Sequence, residues 1–68
     1  MPSTAIRNFD YDEDEQQLVV TFVTGRTYVY EAVPREVYDA FRSASSKGGF
    51  FNRFIRDRYR FSEVARAG

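Results

Sequence analysis

The alternation of apolar and polar side chains between Gln17 and Glu31 constrains this chain more than any other feature. Within Gln17–Val23, one side carries Leu18, Val20 and Phe22, and the other carries Val19, Thr21 and Val23. This is the period-two pattern of a strand with two different faces. Thr24-Gly25 supplies turn chemistry, and Arg26-Thr27-Tyr28-Val29-Tyr30-Glu31 resumes the alternation with two tyrosines on one side. Loop length sets the register, and a slip of one residue exchanges the faces. A two-residue loop, Thr24-Gly25, groups Tyr28 and Tyr30 with Val19, Thr21 and Val23. A three-residue loop, Thr24-Gly25-Arg26, pairs Val23 with Thr27, Phe22 with Tyr28 and Val20 with Tyr30. The longer loop segregates the residues better. It gives a core face of Leu18, Val20, Phe22, Tyr28 and Tyr30, opposite a face of Val19, Thr21, Val23, Thr27, Val29 and Glu31.

Upstream, Ser3–Tyr11 has strand composition, but strict alternation leaves Ile6 on the opposite side from Phe9 and Tyr11. A bulge near Arg7-Asn8 restores all three to one face. Asp12-Glu13-Asp14-Glu15 reads as a solvated turn, since a calcium loop needs spaced ligands and a glycine, and neither is present. Downstream, Val33-Pro34 ends the strand, and proline suits the first position of a helix. Val37, Phe41 and Ala44 then recur at helical spacing over Pro34–Ser45. Ser45-Ser46-Lys47-Gly48-Gly49 reads as a helix–helix turn. Its Lys-Gly-Gly order does not match a phosphate-binding P-loop, although free amides at the start of the next helix suit a phosphate. A second helix is expected from Phe50 to about Arg60, with Phe50, Phe51, Phe54, Ile55 and Tyr59 as its apolar stripe. The expected fold is α+β: a three-stranded antiparallel β-meander followed by two α-helices packed on one face. Residues 1–68 form a single domain, with a core over about 3–60 and a tail over 61–68. Phe41, Phe51, Phe54 and Ile55 complete the expected core, and Phe61 and Val64 are placed to dock from the tail.

Composition removes whole classes of chemistry. The chain has 68 residues with no cysteine and no histidine, so the usual bases, nucleophiles and transition-metal ligands are missing. Its carboxylates cluster where solvent leaves their pKa untuned. The expectation is a non-enzyme with no metal, cofactor or small-molecule substrate. Seven Phe and five Tyr fill a small core with few residues. No apolar run approaches the roughly 20 residues that span a bilayer, and Met1-Pro2-Ser3-Thr4 does not open a secretory signal. The expected location is the cytoplasm, away from membranes. The formal charge is zero, yet residues 1–34 carry six acids against two bases and residues 35–68 carry eight bases against four acids. Such asymmetry suits an anionic partner, or a contact between the chain's own halves or between two copies.

Tyr28-Val29-Tyr30, preceded by Leu18-Val19-Val20-Thr21-Phe22, is followed by Val33-Pro34 and by Ser46-Lys47-Gly48-Gly49-Phe50-Phe51-Asn52. Taken in order, this set resembles the KTSC domain, over roughly Ser3–Tyr59. The resemblance implies a small module found at the C-terminus of some lysyl-tRNA synthetases and as a stand-alone bacterial protein. Its function is not established, and RNA binding is suggested by the company it keeps.

Two functional expectations follow. One is RNA binding, with Lys47, Arg53, Arg56 and Arg60 on phosphates. The arginines, at i, i+3 and i+7, form a ridge within roughly 60° of one another on a continuous helix. Arg42 or Arg58 extends the patch, and Tyr38 or Tyr59 is best placed for stacking. Zero net charge argues against strong non-specific binding. The alternative is a protein-interaction or self-association module using Val19, Val23 and Val29, unless the tail covers that face.

Overall fold

The computed structural model of the chain describes residues 5–64. Four strands form one antiparallel sheet in the order β1 (Ile6–Asp12), β2 (Gln17–Phe22), β3 (Thr27–Tyr30) and β4 (Phe61–Glu63). Helices α1 (Arg35–Ser43) and α2 (Lys47–Phe54) lie between β3 and β4 in sequence. The α+β meander with two helices matches the expectation, but a fourth strand replaces part of the expected tail. Tyr30 pairs with Phe61, Val29 with Ser62 and Tyr28 with Glu63. Three residues are too few to carry a strand signal of their own; the free edge of β3 supplies their partners.

The bulge falls where the pattern requires it. Ile6 pairs with Phe22 and Asn8 with Thr21, so Arg7 is the extra residue. Ile6, Phe9 and Tyr11 consequently all pack against the core. The faces of β2 and β3 are also those expected, although the register differs by two residues. Val20 sits opposite Tyr28 and Leu18 opposite Tyr30. A shift of two preserves facing because side chains alternate with period two. The β2–β3 turn accounts for the difference. The Phe22 amide donates to the Arg26 carbonyl (2.9 Å), the Gly25 amide donates to the Phe22 carbonyl (2.8 Å), and Gly25 has φ 94°. Val23 therefore sits in the turn, 58% exposed, instead of facing Thr27 on the sheet.

The acidic turn organises itself and the start of α1. Asp12 Oδ1 accepts from the amides of Asp14 and Glu15, and the Gln16 carbonyl accepts from the Val33 amide. Arg35 pairs with Glu13 at 2.7 Å. Pro34, expected as the first helical residue, is instead the N-cap of α1, and its carbonyl accepts from the amides of Val37 and Tyr38. Tyr38 stacks on Tyr11 with centroids 4.6 Å apart, and the Tyr11 hydroxyl donates to the Val33 carbonyl at 2.6 Å. Burial pushes the Tyr11 pKa up, and Glu13 pushes it the same way.

Helix α2 begins three residues earlier than expected. Ser46 caps it by accepting from the Gly49 amide (3.1 Å), a preferred role for serine. A Cβ at position 49 would lie 2.9 Å from Ser46 Oγ, so the glycine read as a helix breaker instead makes room for the cap. The helix also ends early. Amides of both Ile55 and Arg56 converge on the Phe51 carbonyl, which unwinds the chain after Phe54. Leu18, Val20, Tyr30, Val33, Phe41, Phe51 and Ile55 are buried, while Phe22 and Tyr28 pack half-buried against them. Phe54 departs from its expected place. It is 47% exposed, because Phe51 and Ile55 take the core-facing positions and leave Phe54 beside Phe50 on the outer flank (4.8 Å).

Candidate nucleic-acid interface

The segment from Arg53 to Arg60 carries four arginines and one acid, Asp57. All four guanidinium-bearing residues are exposed, and among the described residues none forms an ion pair with a carboxylate. The cations of α1 differ: Arg35 pairs with Glu13 and Asp39, and Arg42 with Asp39. The expected helical ridge does not form, because only Arg53 lies in α2. Arg56 and Arg58 lie in the turns after the helix, and Arg60 immediately precedes β4, its carbonyl accepting from the Glu31 amide (2.8 Å). Arg53 lies over the Phe54 ring (6.0 Å), and Arg56 is 3.4 Å from Asn52 Oδ1. Lys47 is half-buried, with its ammonium donating to the Ala44 carbonyl (2.6 Å) at the end of α1. Its first task is to join the two helices.

Tyr38 and Tyr59, the expected stacking rings, are both half-buried. Tyr38 is enclosed by Tyr11, Phe9 and the Arg42 guanidinium. Tyr59 lines a shallow groove between the helices with Phe54 and Arg58. A larger cleft of about 570 Å³ opens at the other side of α2. Its walls include Phe22, Tyr28, Tyr30, Phe51 and Phe61, with Arg26, Arg56 and Asp57 beside them. Tyr30 is buried, as expected of a core ring, and burial first and the Tyr28 hydroxyl second push its pKa up to about 12. Tyr28 is half-buried and lines the cleft. Arg26 has its pKa raised by the Tyr28 hydroxyl and then by Glu63, with which it makes a 3.8 Å ion pair.

The acidic turn and the β2–β3 turn on the rim of the cleft occupy opposite ends of β2, six residues at about 3.3 Å each or roughly 20 Å apart. Tyr30 and Phe61 wall the cleft nearer the acidic end, since Tyr30 pairs with both Leu18 and Phe61, and Arg60 follows in line beside Glu31. The other sheet face presents Val19 directly opposite Val29, and Thr21 opposite Thr27 with hydroxyls 3.1 Å apart. Val23 is not part of it. Phe61 packs on Tyr28 and Tyr30, so β4 extends the sheet edge and leaves the Val19–Val29 face uncovered by Phe61.

The profile of the KTSC domain matches residues 2–59. The chain belongs to the KTSC domain family. A KTSC domain protein from Yersinia pestis, known from a crystal structure, superposes with a TM-score of 0.85 at 33% identity, covering 96% of this chain and 92% of that one. A protein of Tsukamurella paurometabola is 43% identical over 58 residues, which are 85% of this chain and 87% of the relative. A lysine–tRNA ligase of Nostoc punctiforme is 34% identical over 62 residues, or 91% of this chain. The KTSC chain spans only 11% of that ligase's length. Among the described residues no helix is long and apolar enough to cross a membrane. Nor does any cluster of three or more His, Cys, Asp or Glu among them suit a metal ion.

Sequence reasoning placed the arginines but missed Arg26, Asp57 and Phe61 as neighbours of one cleft. Phe61 follows Arg60 directly, and an aromatic beside a run of arginines was the available signal.

Proposed function

We propose that this KTSC domain is a small, non-catalytic cytoplasmic module that binds single-stranded RNA through the arginines of the α2–β4 segment. The observation that carries the reading is that Arg53, Arg56, Arg58 and Arg60 are exposed and, among the described residues, without carboxylate partners, while Arg35 and Arg42 are paired. Backbone phosphates are the anions that such a string of guanidinium groups suits, through charge-assisted and often bidentate hydrogen bonds. The acidic turn joins β1 to β2, its Glu13 is already paired with Arg35, and β3 stands between it and the β4 edge that Arg60 precedes. A relative that is a lysine–tRNA ligase, an enzyme named for its tRNA, supports RNA as the polyanion. Binding of this kind is salt-sensitive and poor at reading sequence.

Fluorescence anisotropy of a labelled single-stranded RNA at low salt tests the reading. Arg53→Glu, Arg56→Glu and Arg60→Glu together should abolish most of the affinity with the circular dichroism spectrum unchanged. Each lost phosphate contact should also flatten the log–log salt dependence by about 0.7. Unchanged affinity would mean that the arginines do not bind RNA.

A second reading, self-association through the sheet, rests on the half-buried Val19–Val29 pair on the sheet face opposite the core. It requires a sedimentation mass near twice the monomer at micromolar concentration, lowered by Val29→Glu. A monomer at every concentration removes it.

A further inference from the structure

The cleft beside the arginines has a composition that the phosphate contacts do not use. Five aromatic rings line it as a connected set: Phe51 meets Phe22 and Tyr30 (5.3 Å each), and Phe61 meets Tyr28 (5.7 Å) and Tyr30 (5.4 Å). Two of the large apolar side chains most exposed among the described residues also line it, Val23 at 58% and Phe61 at 51%. Exposed apolar surface gathered in one concavity marks a binding site more than scattered exposure does. At about 570 Å³ the cleft lies within the roughly 300–1,000 Å³ of small-ligand sites.

Charge narrows the occupant. Arg26 and Arg56 both line the cleft. Arg26 interacts with the Tyr28 hydroxyl and makes an exposed 3.8 Å pair with Glu63, the weak kind of ion pair that leaves a guanidinium open to a phosphate. Arg56 contacts only the neutral Asn52 amide among its described side-chain hydrogen bonds, which leaves its charge for an anion. Asp57 also lines the cleft and is a hydrogen-bond acceptor. Aromatic faces, two guanidinium groups and one carboxylate together match a ligand that is planar, anionic at one end and bears N–H donors at the other. A nucleotide has all three properties, and aromatic walls stack any base because every base has a π-face. We infer that this cleft holds one unstacked nucleobase of the bound strand, with Arg56 and Arg26 on its adjoining phosphates and Asp57 accepting from the base edge. The inference rests on the RNA reading above and names the part of the RNA that enters the protein.

Two probes separate the claims: a short single-stranded RNA and an abasic ribose–phosphate oligomer of the same length. Stacking of about 1–3 kcal/mol per base corresponds to roughly 5- to 150-fold tighter binding of the base-bearing strand. Binding should also quench the intrinsic tyrosine emission, because Tyr28 lines the cleft and the chain has no tryptophan. Phe61→Ala should remove both the preference and the quenching while leaving abasic affinity in place, whereas Val23→Glu, which adds a carboxylate to the cleft that Arg26 and Arg56 line, should weaken both oligomers. Equal affinity for the two oligomers, with the salt dependence intact, overturns the cleft site and spares the arginine reading. Failure of both oligomers to bind overturns both. A dimer that Val23→Glu converts to monomer would identify a second copy as the occupant and overturn the nucleobase.

Discussion

Phe51 and Phe54 are three residues apart on α2, both apolar, and indistinguishable by composition, yet the structure assigns them opposite roles. Phe51 is 2% exposed and lies edge-on to Phe22 and Tyr30, each at 5.3 Å. Truncation to alanine there removes a buried ring from between the sheet and the cleft it walls, at a cost of about 3–5 kcal/mol. Phe54 is 47% exposed and leans on Phe50 at 4.8 Å. Only about half of its side chain is removed from water, which sets the cost of Phe54→Ala near 1 kcal/mol. A chain of 68 residues has a total stability of about 3–10 kcal/mol at the usual per-residue value. Phe51→Ala therefore removes about a third of it or more, whereas Phe54→Ala is tolerated. With about 4–8 °C per kcal/mol for a domain of this size, the two melting points should differ by at least about 8 °C. Phe51→Leu keeps most of the volume but loses two edge-to-face contacts, and should fall between them at about 1–3 kcal/mol. Urea unfolding followed by tyrosine fluorescence and by circular dichroism measures all three. Equal costs for Phe51→Ala and Phe54→Ala would mean that the helix is rotated from the phase described, and with it the placement of Arg53.

Three further outcomes follow from single contacts. Tyr11→Phe removes the donor to the buried Val33 carbonyl and should cost about 1–2 kcal/mol by urea unfolding; a loss below a few tenths would show that water replaces the hydroxyl. Ser46→Ala removes the α2 cap and should cost about 1 kcal/mol, with faster amide exchange at Gly49 as the local signature; unaltered exchange there would contradict the cap. The Tyr30 phenol titrates near 12 against an ordinary 10.0, so the folded state holds that proton more tightly than the unfolded chain. Its contribution is complete below pH 10 and is lost as pH rises toward 12, so the urea midpoint should fall across that window and Tyr30→Phe should flatten the fall.

Much of the framework was legible because side-chain alternation is a local property. The two faces of β2 and β3 follow from Leu18, Val20, Phe22, Tyr28 and Tyr30 alone, and the bulge at Arg7 follows from the need to bring Ile6 round to Phe9 and Tyr11. The exact pairing was not legible, because a two-residue shift leaves every face unchanged and only the hydrogen bonds of the Phe22–Arg26 turn select between registers. Helix α2 was displaced in the sequence reading because Gly48-Gly49 suggests a break, whereas here glycine at 49 admits the Ser46 cap. Phe61-Ser62-Glu63 gives no strand pattern and becomes β4 only beside β3. The candidate site divides the same way. The arginines were visible as a charge pattern, but their helical phase was lost after Phe54, where two amides share the Phe51 carbonyl. The cleft assembles Arg26, Arg56 and Phe61 from three parts of the chain, so only the tertiary structure brings it together.

The central claim, that the arginine-flanked end of the domain binds single-stranded RNA, is tested most directly by an amide NMR titration with a short oligoribonucleotide at low salt. Shifts should be confined to the β2–β3 turn around Val23–Arg26, to Arg53–Arg60 and to Phe61, with Val19, Val29 and the acidic turn at Glu13–Glu15 unmoved. Shifts centred on Val19 and Val29, or none at millimolar RNA, would contradict it.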